Sequence, residues 1–411
     1  MKRQARCTEV VGGGRKILTI EVAEGVAHGK TFPTVRRSPG LSARTAPLRV
    51  EKGFVLKHPS VVNVAQMDDF EEIIDTRSPS EYALDHVPGA INCPVLDDEE
   101  RARVGTLYTQ VSPFDAKKLG AALVSRNIAR HIETRFAAHG REWRPLIYCW
   151  RGGKRSAAMV HVLREIGWRA AQLEGGYKAY RREVVAQLET LPRRFDYLVV
   201  CGATGSAKSR LLERLAGRGA QVLDLERLAR HRGSVLGNLP DDPQPPQRLF
   251  DSTLWNAVRR FDASAPVFVE AESRKIGQLQ VPSALLERMR EGRCIVVQAP
   301  VAERVRFLIA EYRHFLEDPR GLKARLECLT SLHGHEVIER WLARVEARAW
   351  DELVADLLLN HYDPAYRRST LRNYPDLTDA WILNLDRLSP EAIDTAVTDL
   401  LQKAAYEPAA T

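Results

Sequence analysis

Residues 147–156, IYCWRGGKRS, run a short apolar stretch into a cysteine, then two glycines, three basic residues and a serine. The helical pattern SAAMVHVLREIGW follows at once from Ser156. A strand that ends in Cys149, a glycine loop and a helix start aim the thiol at backbone N–H groups. The positive end of the helix dipole favours the thiolate. This is the arrangement of a reactive cysteine and not of a disulfide.

The flanking sequence supplies the rest of an α/β unit. EEIIDTRSPSEYALDHVPGAINCPV (71–95) reads as a strand over Glu71–Thr76, a helix opened by Ser78-Pro79 and a second strand. A helical stretch is expected from Asp97 to Ala138, then the strand RPLIYC, the cysteine loop with its helix, the strand AAQLEGG and the helix YKAYRREVVAQL. Alternating strands and helices imply a mainly parallel sheet, with Cys149 at a carboxyl strand end where such sheets place their sites. The other strand-end or strand-borne thiols, Cys93, Cys201 and Cys294, read as small buried hydrophobes.

A second strand–loop–helix follows in FDYLVVCGATGSAKSRLLERLA (195–216). Gly202, Thr204, Gly205, Ser206, Lys208 and Ser209 fit a phosphate-binding P-loop, with Ala207 standing where the last glycine belongs. Backbone N–H groups of such a loop cradle phosphate oxygens, the lysine reaches the outer phosphates and the hydroxyl ligates Mg²⁺. If that position requires φ > 0, the methyl group costs on the order of 1 kcal/mol. The strand APVFVEAES ends in Glu270 and Glu272, candidates to hold Mg²⁺; no tightly bound metal is expected. His231 and Arg232 in LARHRGS, and Arg274 in ESRKIG, are candidates for phosphate or RNA backbone contact. Arg304 and Arg306 in VAERVRFL are further cations within reach of phosphate. The chain then reads as helical almost to its end, broken at Asp363-Pro364 in YDPAYRRS, where Tyr362, Tyr366, Arg367 and Arg368 offer rings and cations.

Length and charge bound these readings. A chain of 411 residues suggests two or three domains. Residues 1–60 carry 12 basic and 4 acidic side chains, the whole of the net charge of +8, so any RNA surface of the folded body has to be a local patch. That segment, rich in Gly, Pro, Ser and Arg, is expected to be a disordered extension or an over-long start, with a targeting segment as the lesser alternative. No apolar run approaches the ~18 residues of a membrane span, and six scattered cysteines without a C-x-x-C pair fit a reducing compartment. The expected location is cytoplasmic, off the membrane.

DTRSPSEYALDHVPGAIN, the Cys149 loop and LEGGYKAYR resemble the signature segments of rhodanese domains. That resemblance implies that Cys149 carries sulfur or selenium, that Arg151, Gly152, Gly153 and Arg155 form an anion-binding loop, and that Asp75 and Arg77 are an architectural ion pair. Joined to the P-loop and to DLERLARHRGS, EAESRKIG and YDPAYRRS, the chain from about 68 to 370 resembles the tRNA 2-selenouridine synthase family. The resemblance implies a substrate tRNA with 2-thiouridine at the wobble position, selenophosphate and geranyl diphosphate as co-substrates, an S-geranylated intermediate, and an upstream selenophosphate-producing enzyme. The expected architecture is an extension (1–60), a rhodanese-like parallel-sheet domain (65–190), a P-loop NTPase-like α/β domain (194–335) and a helical C-terminal region (336–411). Three alternatives stay open: an ATP-dependent tRNA sulfurtransferase, a phosphatase using Cys149 and Arg155 as Cys-x5-Arg, and a redox-sensing nucleotide-binding regulator.

Overall fold

The computed structural model describes residues 6–12, 15–21, 59–234, 236–239, 241–374 and 377–406. The chain divides into two compact units, Met1–Leu56 and Lys57–Thr411. In the first, strands β1 (Arg6–Gly12) and β2 (Arg15–Glu21) pair antiparallel, Arg6 opposite Glu21 and Gly12 opposite Arg15. This ribbon departs from the disordered extension expected over 1–60. β-branched residues (Thr8, Val10, Val11; Ile17, Thr19, Ile20) on both sides of a glycine run are a hairpin signal that the segment's overall composition conceals. Apart from these strands and residues 59–60, the extension lies outside the described residues.

The second unit contains two five-stranded, all-parallel sheets. The first is built from β3 (Val61–Val62), β4 (Glu72–Asp75), β5 (Ile91–Asn92), β6 (Pro145–Tyr148) and β7 (Ala171–Leu173), in the order β3-β7-β6-β4-β5. Strand β3 lies upstream of the boundary expected at residue 65; two residues are too short a run to show periodicity. β6 is central and buried along its length, so the residue that follows it, Cys149, emerges at the middle of the sheet's carboxyl edge.

The second sheet uses β8 (Tyr197–Gly202), β9 (Gln221–Leu223), β10 (Val267–Glu270), β13 (Arg293–Gln298) and β14 (Trp381–Asn384), in the order β14-β13-β8-β10-β9. A separate antiparallel ribbon joins β11 (Lys275–Ile276) to β12 (Leu279–Gln280). β8 is the central strand, and β10 beside it brings Glu270 into register with Val200. The region 336–411, expected to be helical, contributes β14 to this sheet through pairs such as Ile295 with Trp381. Helix Pro390–Tyr406 then packs Val397 and Leu400 with Leu211 and Leu215 of helix Lys208–Gly217. The C-terminal region thus completes the P-loop domain. Pro364 also departs from expectation: it sits in the first turn of helix Asp363–Asn373, where the missing N–H is not needed, directly after a π-helical turn at Leu358–Tyr362.

One hydrophobic cluster runs through both sheets' domains, from Val62, Tyr148 and Tyr180 to Val199, Phe250 and Trp255. Helix Gly176–Thr190 is the contact element: Trp255 Nε1 donates to Gln187 Oε1 at 2.6 Å, the Tyr180 and Trp255 rings meet edge-on at 5.6 Å, and Arg181 pairs with Asp251. Arg259 and Asp68 pair across the same boundary.

Candidate functional site

The first candidate centre is the loop after β6. Cys149 Sγ accepts from Gly153 N at 3.2 Å and from Ser156 Oγ at 3.1 Å, both at the start of helix Lys154–Ile166. Gln172 Nε2 in turn donates to Ser156 Oγ at 2.8 Å and fixes that hydroxyl. These donors fix the sulfur at the start of the helix. Cys93, a buried thiol elsewhere in the same domain, is pushed up to about 12 by burial and stays a thiol.

The loop's shape depends on glycines. Gly152 sits at φ +61, and a Cβ there would lie 2.7 Å from the Leu173 carbonyl. Gly176, at φ +57, presses against the loop so closely that a Cβ would lie 2.2 Å from the Cys149 carbonyl. Tyr177 N and Lys178 N donate to the carbonyls of Cys149 and Trp150, so LEGGYK forms the roof of the cysteine loop. Beneath it Arg77 is buried in a bidentate pair with Asp75 and places its guanidinium 4.0 Å from the Tyr177 ring centre. Removing one partner of such a buried pair costs about 3–5 kcal/mol, in keeping with an architectural role. Of the loop cations, Arg155 pairs with Glu81 at 3.2 Å, and Arg151 is exposed with no carboxylate partner among the described residues.

The second candidate centre is the loop after β8. Lys208 Nζ donates to the Gly202 carbonyl at 2.9 Å and lies 3.6 Å from Glu270 Oε1. Ala207 has φ 60 and ψ 27, so the position does require the left-handed conformation, and its methyl group is buried in the core. Arg304, nearly buried, braces the loop from behind: Nε donates to the Thr204 carbonyl at 2.9 Å while the other nitrogens grip Asp363. The segment YDPAYRRS is therefore fastened to the P-loop, and Tyr366 lies beside Lys208 and the Gly202 backbone. Arg367 and Arg368 are exposed.

Carboxylate oxygens of Glu226, Glu270 and Glu272 all lie within 4.8 Å of one another. Ser209 Oγ donates to Glu226 Oε2 at 3.1 Å, and Glu270 Oε2 is buried with no hydrogen-bond partner. Burial, then mutual repulsion, pushes Glu226 up to about 9 and Glu272 up to about 8. Burial acts against the charged form of Lys208, yet the surrounding carboxylates outweigh it and hold the ammonium protonated. An orphaned buried oxygen among three convergent carboxylates fits a divalent cation. Glu226 was not singled out from sequence; only the order of β9 and β10 in the sheet brings it beside the other two.

His231 and Arg232 do not join this group as free phosphate ligands. His231 is buried and its Nδ1 accepts from Gly233 N at 3.1 Å; Arg232 pairs with Glu311 at 3.2 Å and stacks on Tyr312. Arg306 pairs with Glu303, and Arg274 is exposed. Behind Thr204 opens a half-enclosed apolar cavity lined by Leu308, Tyr312, Leu357, Leu358 and Tyr362 among others.

A cysteine loop and a phosphate loop on one shared core define a two-module protein, a rhodanese-like domain fused to a P-loop domain. Residues 60–183 match the rhodanese-like domain, and residues 195–320 match the tRNA 2-selenouridine synthase AAA domain. The chain is 35% identical over 280 residues to the tRNA 2-selenouridine synthase of Nitrosomonas europaea, covering 67% of this chain and 72% of that one. It is 32% identical to the same-named protein of Alcanivorax borkumensis, over 72% of this chain and 88% of the other. The chain belongs to the tRNA 2-selenouridine synthase family. Among the described residues no helix is long and apolar enough to cross a membrane.

Proposed function

We propose that the chain converts 2-thiouridine at the wobble position of tRNA into 2-selenouridine, by way of an S-geranyl intermediate made from geranyl diphosphate, with selenophosphate as selenium source. The observation that carries this reading is a P-loop whose adjoining cavity is apolar, on the same core as a reactive-cysteine loop. The apolar lining of that cavity, about 60 Å³ in volume, has the chemistry to take part of a prenyl chain, while the loop N–H groups and Lys208 suit a diphosphate.

In the first half-reaction the thiouridine sulfur attacks C1 of the geranyl group. The C–O bond breaks, and its electron pair leaves with the diphosphate. Lys208 and the loop N–H groups receive the charge that develops there. Glu226, Glu270, Glu272 and Ser209 would hold Mg²⁺, which adds positive charge beside the leaving group when bound.

The second half-reaction uses Cys149. Alkylation has converted the C2 sulfur into a good leaving group. Cys149 attacks C2 and expels the geranyl thiolate; the selenium of selenophosphate then displaces the Cys149 sulfur from C2, and water cleaves the Se–P bond to leave phosphate and 2-selenouridine. Gly153 N and Ser156 Oγ hold the sulfur in place.

The test is incubation of the purified chain with 2-thiouridine tRNA and geranyl diphosphate, then selenophosphate, with no ATP. Nucleoside mass spectrometry should find S-geranyl-2-thiouridine first and 2-selenouridine second. An absolute requirement for ATP, or absence of both products, sinks the reading and favours the ATP-dependent sulfurtransferase.

A further inference from the structure

Next to the cysteine loop, helix Gly176–Thr190 of one module and helix Gln247–Val258 of the other form the walls of a cleft. Two adjoining cavities, of about 570 and 280 Å³, share Trp150, Tyr177 and Arg248 in their linings. Its cations fall into two groups. Arg77 is committed to Asp75, Arg101 and Arg155 to Glu81, and Arg181 to Asp251, and these pairs hold the walls in shape. Lys178, Arg182 and Arg248 are exposed and have no carboxylate partner among the described residues. In the larger cavity Glu189 is the only lining carboxylate among the described residues.

An aromatic platform stands at the same place. Trp150 follows Cys149 directly, and its ring centre lies 5.2 Å from that of Tyr177 at 31°. The Tyr177 ring also carries the buried Arg77 guanidinium, at 4.0 Å, and its hydroxyl donates to Asp85 at 2.8 Å. Guanidinium and indole thus both lie against the phenol ring, the indole tilted and part-exposed in the cleft.

A flat ring beside unpaired cations is the surface on which unstacked bases of single-stranded RNA rest while the backbone is neutralised. A small oxyanion needs no cavity of this size, and an acidic polypeptide needs no ring adjoining the thiol. Resting on the tRNA-modifying reading above, we propose that this cleft is the RNA-docking surface of the cysteine module: Lys178, Arg182 and Arg248 hold the loop backbone, and Trp150 stacks the base presented to Cys149.

The experiment uses the full chain and a labelled RNA hairpin with 2-thiouridine in its loop, followed by fluorescence anisotropy across a salt series. Arg182→Glu combined with Arg248→Glu should weaken binding at least ~tenfold and flatten the slope of log K on log[salt] by about 1.4, at ~0.7 per lost single-strand phosphate contact. These positions are exposed, so the melting temperature should not move. Trp150→Ala should weaken binding roughly tenfold, with Trp150→Phe within about threefold of the parent. Unchanged affinity and slope in the charge-reversed chain would place the RNA elsewhere and overturn the cleft, leaving the proposed enzyme intact. A parent chain that binds no hairpin removes both proposals. Hairpin binding that polyglutamate displaces as readily as unlabelled RNA overturns the cleft in favour of an acidic protein partner.

Discussion

The two glycine loops are built on one plan and differ in what sits at the focus. Each follows a central buried strand, turns through positive-φ residues and delivers its N–H groups at a helix start. The loop after β6 encloses a side chain of its own, the Cys149 sulfur, and is roofed by a second segment of chain. The loop after β8 encloses no such group; its lysine faces three carboxylates. The lesson is that this turn fixes donors in space and leaves the chemistry to the neighbouring strands. On the proposed function, a covalent nucleophile calls for a closed loop, and an exchangeable diphosphate for an open one with balancing charge.

Swapping out each focus gives the largest expected effects. Cys149→Ser should reduce 2-selenouridine formation by about a thousandfold or more, because a hydroxyl is a far weaker nucleophile than a thiolate at neutral pH. S-geranyl-2-thiouridine should accumulate in the same assay. Lys208→Ala should do the reverse: geranylation falls on the order of a hundredfold, while RNA geranylated beforehand is selenated at near the parent rate. Equal loss of both activities in either variant would break the division of labour, and nucleoside mass spectrometry reads both products at once.

The closed loop should also be the less tolerant of added atoms. Gly176→Ala puts a methyl group 2.2 Å from the Cys149 carbonyl and 2.4 Å from Gly152 N, and both are backbone atoms that cannot swing away. Denaturant unfolding should show a loss of about 3 kcal/mol.

A smaller effect is expected from pH. Glu226 and Glu272, at about 9 and 8, lie well above an ordinary glutamate at about 4.3. The folded chain therefore holds protons that the unfolded chain has released. Stability from the neutral forms is complete below about pH 4.3 and is lost as pH rises through 8 to 9. In chelator, the melting temperature should fall by a few degrees between pH 6 and 9, and Mg²⁺ should restore it. Glu226→Gln should flatten the pH trend and remove much of the Mg²⁺ response.

The smallest effect belongs to Ala207→Gly. Left-handed alanine costs about 1–2 kcal/mol, but the change gives up a buried methyl worth about 0.8 kcal/mol and adds freedom to the unfolded chain. The net change should stay within about 1 kcal/mol in the same unfolding experiment.

What the sequence disclosed follows a pattern. Both loops were legible because strand, glycines and helix are contiguous, so every cue lies within about twenty residues. The carboxylate trio was only partly legible. Glu270 and Glu272 end an obvious strand, but Glu226 sits in LDLERLAR, which reads as an ordinary charged helix until the sheet order sets β9 beside β10. The same limit hid β14, whose four residues WILN lie among helices and acquire meaning only by pairing with β13. The Gly175-Gly176 roof and the cleft around Trp150 arise from contacts across the fold, and spacing along the chain carries no trace of them. His231 and Arg232 show another limit: the sequence offers a basic cluster next to a glycine, and contacts it cannot reveal engage that cluster in a turn and in a pair with Glu311.

Helix Gly176–Thr190 both roofs the cysteine loop and packs into the P-loop module. Because one hydrophobic cluster spans that boundary, changing the separation of the two centres would mean breaking a continuous core. On the proposed function, the traveller between the two chemistries is then the nucleotide itself, swung from one loop to the other by rotation of its own sugar–phosphate linkages. The partition of a half-modified base between completion and escape becomes a contest of rates, that swing against dissociation of the RNA.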